Sequence, residues 1–248
     1  MCVAALAWQA HPDWLLVAIG NRDEYHARPA AALAPWHDAS GIVAGRDLQS
    51  GGTWLGVSDA GRFVLVTNLR GYGAPDPAMA SRGALVTALL GRADPAAVPL
   101  DGYNPFNLLV ADPAGLHFLC NRPEPLRTAL GHGIYGLSNG TLDEPWPKTL
   151  QLKAALTDWL AADQTQFDPL FAELRNETPQ AIGLPSSQPS DVPLEAAQTG
   201  PFIRHPLYGT RCSTVVAIDR TGRGQIVERS FDAEGRHIGS TQLAFSWG

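Results

Sequence analysis

The N-terminal segment constrains the fold most strongly, because two consecutive strand-length runs there are apolar on both faces. The runs cover residues 2–8 and 14–20, and a short turn at His11, Pro12 and Asp13 joins them. Alternate residues of a strand point to opposite faces of a sheet. One face of the first run carries Cys2, Ala4, Leu6 and Trp8, and the other carries Val3, Ala5 and Ala7. Such strands belong in a sheet that is covered on both sides.

The rest of the chain alternates between antiparallel hairpins and separate blocks of helix. Apolar runs bounded by turn residues predict strands at residues 53–58, 62–68, 106–111, 116–120, 213–219, 225–231 and 241–245. Helical spacing predicts helices at residues 81–90, with Ser81 as the N-cap, and at residues 146–162 and 167–175. This order favours one α+β domain over residues 1–248, with two stacked antiparallel sheets and helices outside, over a doubly wound parallel fold.

Composition and charge argue against several classes of protein. Of the 248 residues, 45% are hydrophobic and 17% are charged, which is typical of a globular chain. The net charge of −6 argues against a general binder of nucleic acid or of anionic membranes, since both usually need a basic face. Cys2, Cys120 and Cys212 form neither an even disulfide framework nor a C-x-x-C pair. We therefore expect a reducing, cytoplasmic compartment, with no leader and no membrane insertion.

Familiar cofactor motifs do not occur in the sequence. The seven histidines form no H-x-x-x-H or H-E-x-x-H pair, and no phosphate-binding glycine loop follows a predicted strand. We therefore expect neither a metal nor a cofactor. The glycine-rich string at residues 51–56 leads into a strand and predicts a tight turn with close backbone packing.

Cys2 is the first candidate for chemistry, because it directly follows Met1. Aminopeptidases remove the initiator methionine when the second residue is small, and removal here would leave a thiol and a free α-amine on one residue. The thiolate is the competent nucleophile, and an α-amine that titrates near ~8 can accept the proton of its own side chain. The alternative interpretation is that Cys2 packs as a small apolar residue.

A polar string, Asn21-Arg22-Asp23-Glu24, follows the second predicted strand and ends beside the first. Arg22 could lower the pKa of the Cys2 thiol, and Asp23 could hold the α-ammonium. Adjacent strand residues point to opposite faces, so Arg22 and Asp23 cannot both face Cys2 unless the chain bends there. The alternative is a polar strand end with a surface ion pair that contributes about 0–1 kcal/mol.

Three further polar residues lie at strand ends. Asn68 and Asn139 could donate to an oxyanion, since a side-chain amide is a good donor there. Asn139 precedes Gly140, however, and Asn-Gly is also the commonest signal of a type I′ turn; Asn68 could equally be a turn residue. Arg211 begins a late strand, where it could stabilise an anionic transition state or be a solvated charge, and Cys212 beside it is expected to pack as a small apolar residue.

Several of these strings together resemble the NRDE family, the family of the transport and Golgi organisation protein 2. They are Met1-Cys2, Asn21-Arg22-Asp23-Glu24, Gly51-Gly52-Thr53-Trp54-Leu55-Gly56 and Thr67-Asn68, followed in order by Ser81-Arg82-Gly83, Asn104-Pro105-Phe106-Asn107, Gly136-Leu137-Ser138-Asn139 and Trp146-Pro147-Lys148. The combination is specific and covers nearly the whole chain.

That family is itself similar to the cysteine N-terminal-nucleophile hydrolases that cleave bile-salt conjugates and penicillin V. The resemblance implies a four-layer αββα sandwich and an amidohydrolase acting on non-peptide linear C–N bonds of a small-molecule substrate. The catalytic residues it implies are Cys2, Arg22, Asp23, Asn68, Asn139 and Arg211. Those hydrolases separate their Arg and Asp by two residues, whereas Arg22 and Asp23 are adjacent, so Glu24 and Asn21 are alternatives to Asp23.

Family knowledge also supplies a rival: a non-catalytic carrier of haem or a lipid-like ligand that uses the same pocket in trafficking. The seven tryptophans favour such a carrier, whereas the lack of a Cys-Pro dipeptide and of C-x-x-C-H leaves no visible axial ligand. A third alternative is an inactive scaffold that binds a partner through an irregular loop at residues 185–206. A homodimer is the base-rate expectation for the oligomeric state.

Overall fold

The computed structural model describes residues 2–38, 41–183 and 199–247. In this part of the chain, a six-stranded antiparallel sheet has the order β10-β1-β2-β11-β12-β13. Its strands are β1 Cys2–Trp8, β2 Trp14–Tyr25, β10 Gly133–Leu137, β11 Tyr208–Asp219, β12 Arg223–Phe231 and β13 His237–Ser246. The N-terminal hairpin therefore lies at the centre of this sheet, as its two apolar faces require.

A second antiparallel sheet has seven described strands in simple sequential order, β3 to β9. They are β3 Ala30–Pro35, β4 Ile42–Asp47, β5 Leu55–Ser58, β6 Arg62–Asn68, β7 Phe106–Asp112, β8 Gly115–Cys120 and β9 Leu126–Leu130. The two sheets stack, since one core cluster joins Ala4, Leu6 and Trp8 of β1 to residues of β5, β6 and β7.

Helices cover the outer face of each sheet. Helix α1, Arg82–Leu90, packs on β4, β5 and β6, whereas α2, Pro147–Ala161, packs on β1 and β10, and α3, Asp168–Leu174, packs on β2 and β11. A second core cluster joins Val3, Ala5 and Ala7 to the apolar side chains of α2 and α3. The layers are therefore helix, sheet, sheet, helix, and the predicted αββα sandwich is confirmed. No helix in the described ranges has the length and hydropathy that a bilayer span requires.

Several local predictions differ from the structure. Strands β3, β4, β9 and β10 were not predicted, and β2 continues past residue 20 to Tyr25. Ser81 occupies the N-cap position of α1 but makes no side-chain capping hydrogen bond. The loop predicted at residues 185–206 lies outside the described residues as far as residue 198.

The predicted tight packing of the glycine-rich string is confirmed. Gly51 has a φ of +76°, and a Cβ on Gly52 would come within 2.2 Å of the Gly83 carbonyl carbon. The string therefore lies directly against the start of α1, and both segments border the cavity described next.

Candidate active site

The register of the central hairpin places Cys2 and Arg22 side by side. In the antiparallel pairing of β1 with β2, Cys2 lies opposite Arg22, and on the other side of β2 Arg22 lies opposite Cys212 of β11. Directly opposed residues project from the same face of a sheet. Cys2 packs against the core cluster between the two sheets. The Cys2 and Arg22 side chains therefore project from the face of the first sheet that is turned toward the second sheet.

Asp23 leaves β2 on the opposite face from Arg22, as strand alternation demands. Its Oδ1 accepts a 2.6 Å hydrogen bond from Thr210 Oγ1, and its backbone oxygen accepts one of 2.8 Å from Tyr208. A bulge between Thr210 and Cys212 keeps Thr210 paired with Asp23 while Cys212 stays paired with Arg22. The Asp23 side chain thus lies on the face of the sheet that packs against α2 and α3, which we call the helix side.

A cavity of about 130 Å³ opens at this sheet end, between the two sheets. Its lining includes Cys2, Arg22, Asp23 and Asn68. The remaining lining residues are Glu24, Arg28, Asp47, Thr53, Trp54, Val66, Arg82 and Gly83. Four of the six predicted site residues therefore border one polar cavity, and Glu24, one alternative to Asp23, borders it too.

Arg22 is a buried cation in this cavity rather than a member of a surface ion pair. Its side chain is 11% exposed, and its Nη2 lies 3.4 Å from Asp47 Oδ2 and 3.7 Å from Glu24 Oε2. Its Nη1 is buried without a hydrogen-bond partner among the described residues. A buried donor of this kind is costly unless a ligand or a thiolate accepts from it.

Asn21, the other alternative to Asp23, has a structural role. Its Nδ2 donates to the backbone oxygens of Leu174 and Pro201 at 2.7 and 2.9 Å, and its Oδ1 accepts from Ser213. These bonds tie α3 and the segment before β11 to the central strand. Asn21 does not border the cavity.

Asn139 lies beneath Asn68 rather than in the cavity lining. Its Nδ2 donates a 2.8 Å hydrogen bond to the Asn68 backbone oxygen, and its Oδ1 is buried without a partner in the described part of the chain. Neither Asn139 nor Gly140 has a positive φ, so the type I′ turn considered for this pair is wrong. Ser138, next to it, donates from Oγ to the Cys2 backbone oxygen at 2.9 Å.

Arg211 borders an adjoining cavity of about 200 Å³ that shares Arg22, Asp47, Thr53 and Trp54 with the first. Arg211 is the bulged residue of β11, and its Nη1 donates to the backbone oxygens of Tyr25, His26 and Arg28 at 3.0–3.2 Å. It is therefore neither a freely solvated charge nor in the lining around Cys2. The structure places it one cavity away from the thiol.

The second cavity combines apolar walls with several buried polar groups, among them Glu228 and the Cys212 thiol. Its apolar lining comes from Ala30, Ala31, Ala32, Trp54, Phe231 and Ile238. Glu228 is 4% exposed and accepts a 2.8 Å hydrogen bond from the Leu33 backbone N–H. Burial raises the pKa of the Glu228 carboxyl, and burial together with Glu228 raises that of Cys212. Cys212 is buried, as expected of a small apolar residue, and its thiol also lies against this carboxyl.

The pKa of the Cys2 thiol is raised above its ordinary value, although opposing influences act on it. Burial raises its pKa, and the Asp23 charge acts in the same direction. The Asp23 backbone N–H donates to the sulfur and Arg22 lies beside it, and both lower the pKa. Burial also raises the pKa of Asp23, while the charge of Lys148 opposes that effect most strongly.

Lys148 interacts electrostatically with Asp23 and Cys2, and Arg70 acts on Lys148, although the sequence did not indicate either cation as a site residue. Lys148 is fully buried in the first turn of α2, and Arg70 is 4% exposed, 5.9 Å from the Trp146 ring. A lysine at a helix N-terminus opposes the helix dipole, so its place in the string Trp146-Pro147-Lys148 was the available signal.

Comparison with known proteins assigns the family. The sequence model described as Transport and Golgi organisation 2 matches residues 1–233. The chain belongs to the transport and Golgi organisation 2 family. The human transport and Golgi organization protein 2 homolog is 32% identical to this family member over 93% of each chain. The Drosophila melanogaster transport and Golgi organization protein 2 is 30% identical over 60% of this chain and 61% of the fly protein.

Among solved structures, the C2A mutant of the conjugated bile acid hydrolase from Clostridium perfringens is similar to this family member in fold. The TM-score is 0.57, with 8% sequence identity, over 100% of this chain and 97% of that chain. The sandwich of this member of the transport and Golgi organisation 2 family therefore has the same fold as that hydrolase.

Proposed function

We propose that this protein is a cysteine N-terminal-nucleophile amidohydrolase that acts on non-peptide linear C–N bonds. The observation that carries the proposal is the pairing of Cys2 with Arg22 at the mouth of a polar cavity between the sheets. A buried guanidinium beside a thiol stabilises the thiolate and opposes the rise in pKa that burial causes. The fold shared with a conjugated bile acid hydrolase supports the same chemistry, since a mutant named C2A changes that enzyme at its own position 2.

The proposed reaction uses the α-amine that loss of Met1 would place on Cys2. The amine takes the thiol proton, Sγ forms a bond to the substrate carbonyl carbon, and the carbonyl oxygen becomes an oxyanion. The C–N bond then breaks as the leaving amine takes that proton. Water attacks the resulting thioester, which releases the carboxylic acid and restores the thiol.

The other residues have supporting roles in this proposal. Arg22 stabilises the thiolate, and Asp23 orients the α-amine from the helix side. Asn68, from the opposite sheet, donates to the oxyanion in this proposal, and Asn139 holds Asn68 through its hydrogen bond to the Asn68 backbone oxygen. Arg211 lines the second cavity, so in this proposal it contacts the substrate rather than the sulfur.

The two cavities indicate how a substrate would lie. They share Arg22, Asp47, Thr53 and Trp54, so a molecule can extend past Arg22 from one into the other. The scissile amide would occupy the polar cavity at Cys2, and an apolar group would occupy the second. An apolar cavity of ~150 Å³ holds a ring the size of benzene, so about 200 Å³ suits a group of roughly that size.

Release of amine from a panel of small N-acyl amides tests the proposal, with each reaction followed by derivatising the amine. We expect turnover that Cys2→Ala abolishes, together with a thioester on Cys2 when the reaction is quenched in acid. Cys120→Ala is the matched control, because Cys120 lies on β8 and does not border either cavity. Equal turnover by the natural chain and by Cys2→Ala would rule out the proposal.

Titration with haem, followed by absorbance, distinguishes the carrier hypothesis from the hydrolase proposal. A polar cavity of about 130 Å³ with a charged rim is a poor site for a large macrocycle, so we expect no Soret shift at micromolar haem. A shift without amide turnover would favour the carrier.

A further inference from the structure

Lys148 is a fully buried lysine that the proposed reaction does not use. It is the second residue of α2, and its relative exposure is 0%. Lysine is almost never fully buried unless an opposite charge pairs with it. The first turn of α2 contains no acidic residue, and its N-cap, Trp146, makes no side-chain capping bond. The α2 helix itself therefore offers no compensation for this ammonium.

Two physical terms oppose a cation at this place. Removal from water penalises the charged form, and the positive end of the helix dipole repels it. Burial lowers the pKa of Lys148 to about 8, so the group remains largely protonated at neutral pH. A group that is this unfavourable for helix stability is a candidate member of a functional site.

Helix α2 packs on β1, the strand that begins at Cys2, so Lys148 at the start of α2 interacts with charged groups near the thiol. Asp23 of β2 and the Cys2 sulfur of β1 attract the ammonium, and Arg70, in the segment after β6, repels it. The charged groups facing Cys2 from the packed elements are Arg22 and Asp23 of β2 and Lys148 of α2, and the cavity rim adds Glu24, Arg28, Asp47 and Arg82. Lys148 is thus a buried cation on the helix side of the sheet, where Asp23 also lies.

We propose that Lys148 is a positioning residue of the nucleophile, whose ammonium offsets the Asp23 carboxylate next to the Cys2 sulfur. Without this offset, the carboxylate would repel a developing thiolate and would hold a neighbouring α-amine as ammonium, which cannot accept a proton. With the Lys148 ammonium present, Asp23 can orient the amine by hydrogen bonding, while its negative charge near the sulfur is offset by the positive charge of Lys148. This inference rests on the proposed function for its purpose, but its charge balance is measurable without turnover.

Alkylation of Cys2 by iodoacetamide, mapped by mass spectrometry from pH 6 to 10, tests the charge balance on the full chain. At pH 7, Lys148→Met should lower the Cys2 rate constant about tenfold, since one nearby opposite charge moves a pKa by roughly one unit or more. At pH 9.5, where Lys148 of the natural chain is deprotonated, the two rates should converge. Asp23→Asn should raise the rate at pH 7, and the double variant should return to within about threefold of the natural chain.

Lys153→Met is the matched control, because Lys153 lies on the same helix in a partly exposed pair with Asp143 at 2.6 Å. It should leave the Cys2 rate unchanged. An unchanged rate at pH 7 in folded Lys148→Met, or a double variant that stays as slow as Lys148→Met, would overturn the proposal. If Lys148→Met does not fold, Asp23→Asn decides: a faster rate supports the offset, and an unchanged or slower rate overturns it.

The alkylation result is independent of amide turnover. If the alkylation rates depend on these charges but the chain cleaves no amide, the role of Lys148 is supported and the hydrolase proposal is rejected. If the chain cleaves the amide but the alkylation rates do not depend on these charges, the hydrolase proposal is supported and the role of Lys148 is rejected.

Discussion

Replacing Arg22 by methionine removes the cation that lies directly opposite Cys2 and keeps most of the side-chain volume. Arg22 is paired in register with Cys2, and its guanidinium lowers the pKa of the thiol. The substitution should therefore shift the pH profile of Cys2 alkylation to higher pH and leave the limiting rate at high pH unchanged.

The size of the shift follows from the burial and the partners of the guanidinium. The Arg22 side chain is 11% exposed, so solvent and salt screen its charge only weakly. An opposite charge within 4–6 Å typically moves a pKa by ~1–3 units. Because Arg22 is shared with Asp47 and Glu24 at 3.4 and 3.7 Å, we expect the lower end, about one unit or ~1.4 kcal/mol.

The assay is the rate of iodoacetamide labelling at Cys2 as a function of pH, with near-UV circular dichroism to establish that the variant is folded. Arg229→Met is the control, since Arg229 pairs with Asp168 at 2.5 Å on the helix side of the sheet, away from the thiol. An Arg22→Met profile that overlays the natural one would refute the argument that the guanidinium stabilises the thiolate.

Three further predictions concern stability. Thr210→Val should cost about 2 kcal/mol of unfolding free energy in urea, because it removes the 2.6 Å hydrogen bond to the buried Asp23 carboxylate. Gly52→Ala should cost about 2 kcal/mol in the same assay, since its Cβ would lie 2.2 Å from the Gly83 carbonyl carbon. Burial raises the folded-state pKa of Glu228, so its stabilising contribution is complete below the unfolded value near 4.5 and is lost as pH rises through the folded value. Glu228→Gln should therefore gain stability relative to the natural chain as pH rises, by about 1.4 kcal/mol for each unit of the shift.

Each stability prediction has a control. Thr210→Ser keeps the hydroxyl and should lose less than the valine variant. Gly102→Ala adds a methyl group with no atom within 4 Å and should be nearly neutral, so an equal loss there and at Gly52 would contradict the packing argument. A stability difference between Glu228→Gln and the natural chain that is constant from pH 4 to 8 would contradict the linkage argument.

The central sheet was predictable because its signals are local. The 2–8 and 14–20 runs are apolar on both faces and joined by a short turn, which places the start of β1 beside the polar string after residue 20. The strand itself continues through that string, because tertiary partners satisfy its polar side chains: Leu174 and Pro201 for Asn21, and Thr210 for Asp23. The sequence of β2 alone does not reveal which distant residues will bond to these side chains.

The strands that were not predicted also lack a local signal in the sequence. β3 and β9 are mostly exposed edge strands, and β10 pairs with β1, more than 100 residues away in sequence. The burial of Lys148 likewise arises only when α2 packs on β1, so the sequence shows a lysine at a helix start but not its neighbours. The positions of Asn68 and Arg22 at the cavity could be predicted because each ends or follows a strand run. The hydrogen bond from Asn139 to Asn68 depends on the approach of two distant segments.

Intact-mass spectrometry before and after reaction with an electrophilic amide tests the nucleophile most directly. We expect a purified chain that lacks Met1 and gains a single acyl group, located on Cys2 by peptide mapping and absent from Cys2→Ala. A chain that cleaves the amide while retaining Met1, or that carries the acyl group on another residue, would contradict this expectation.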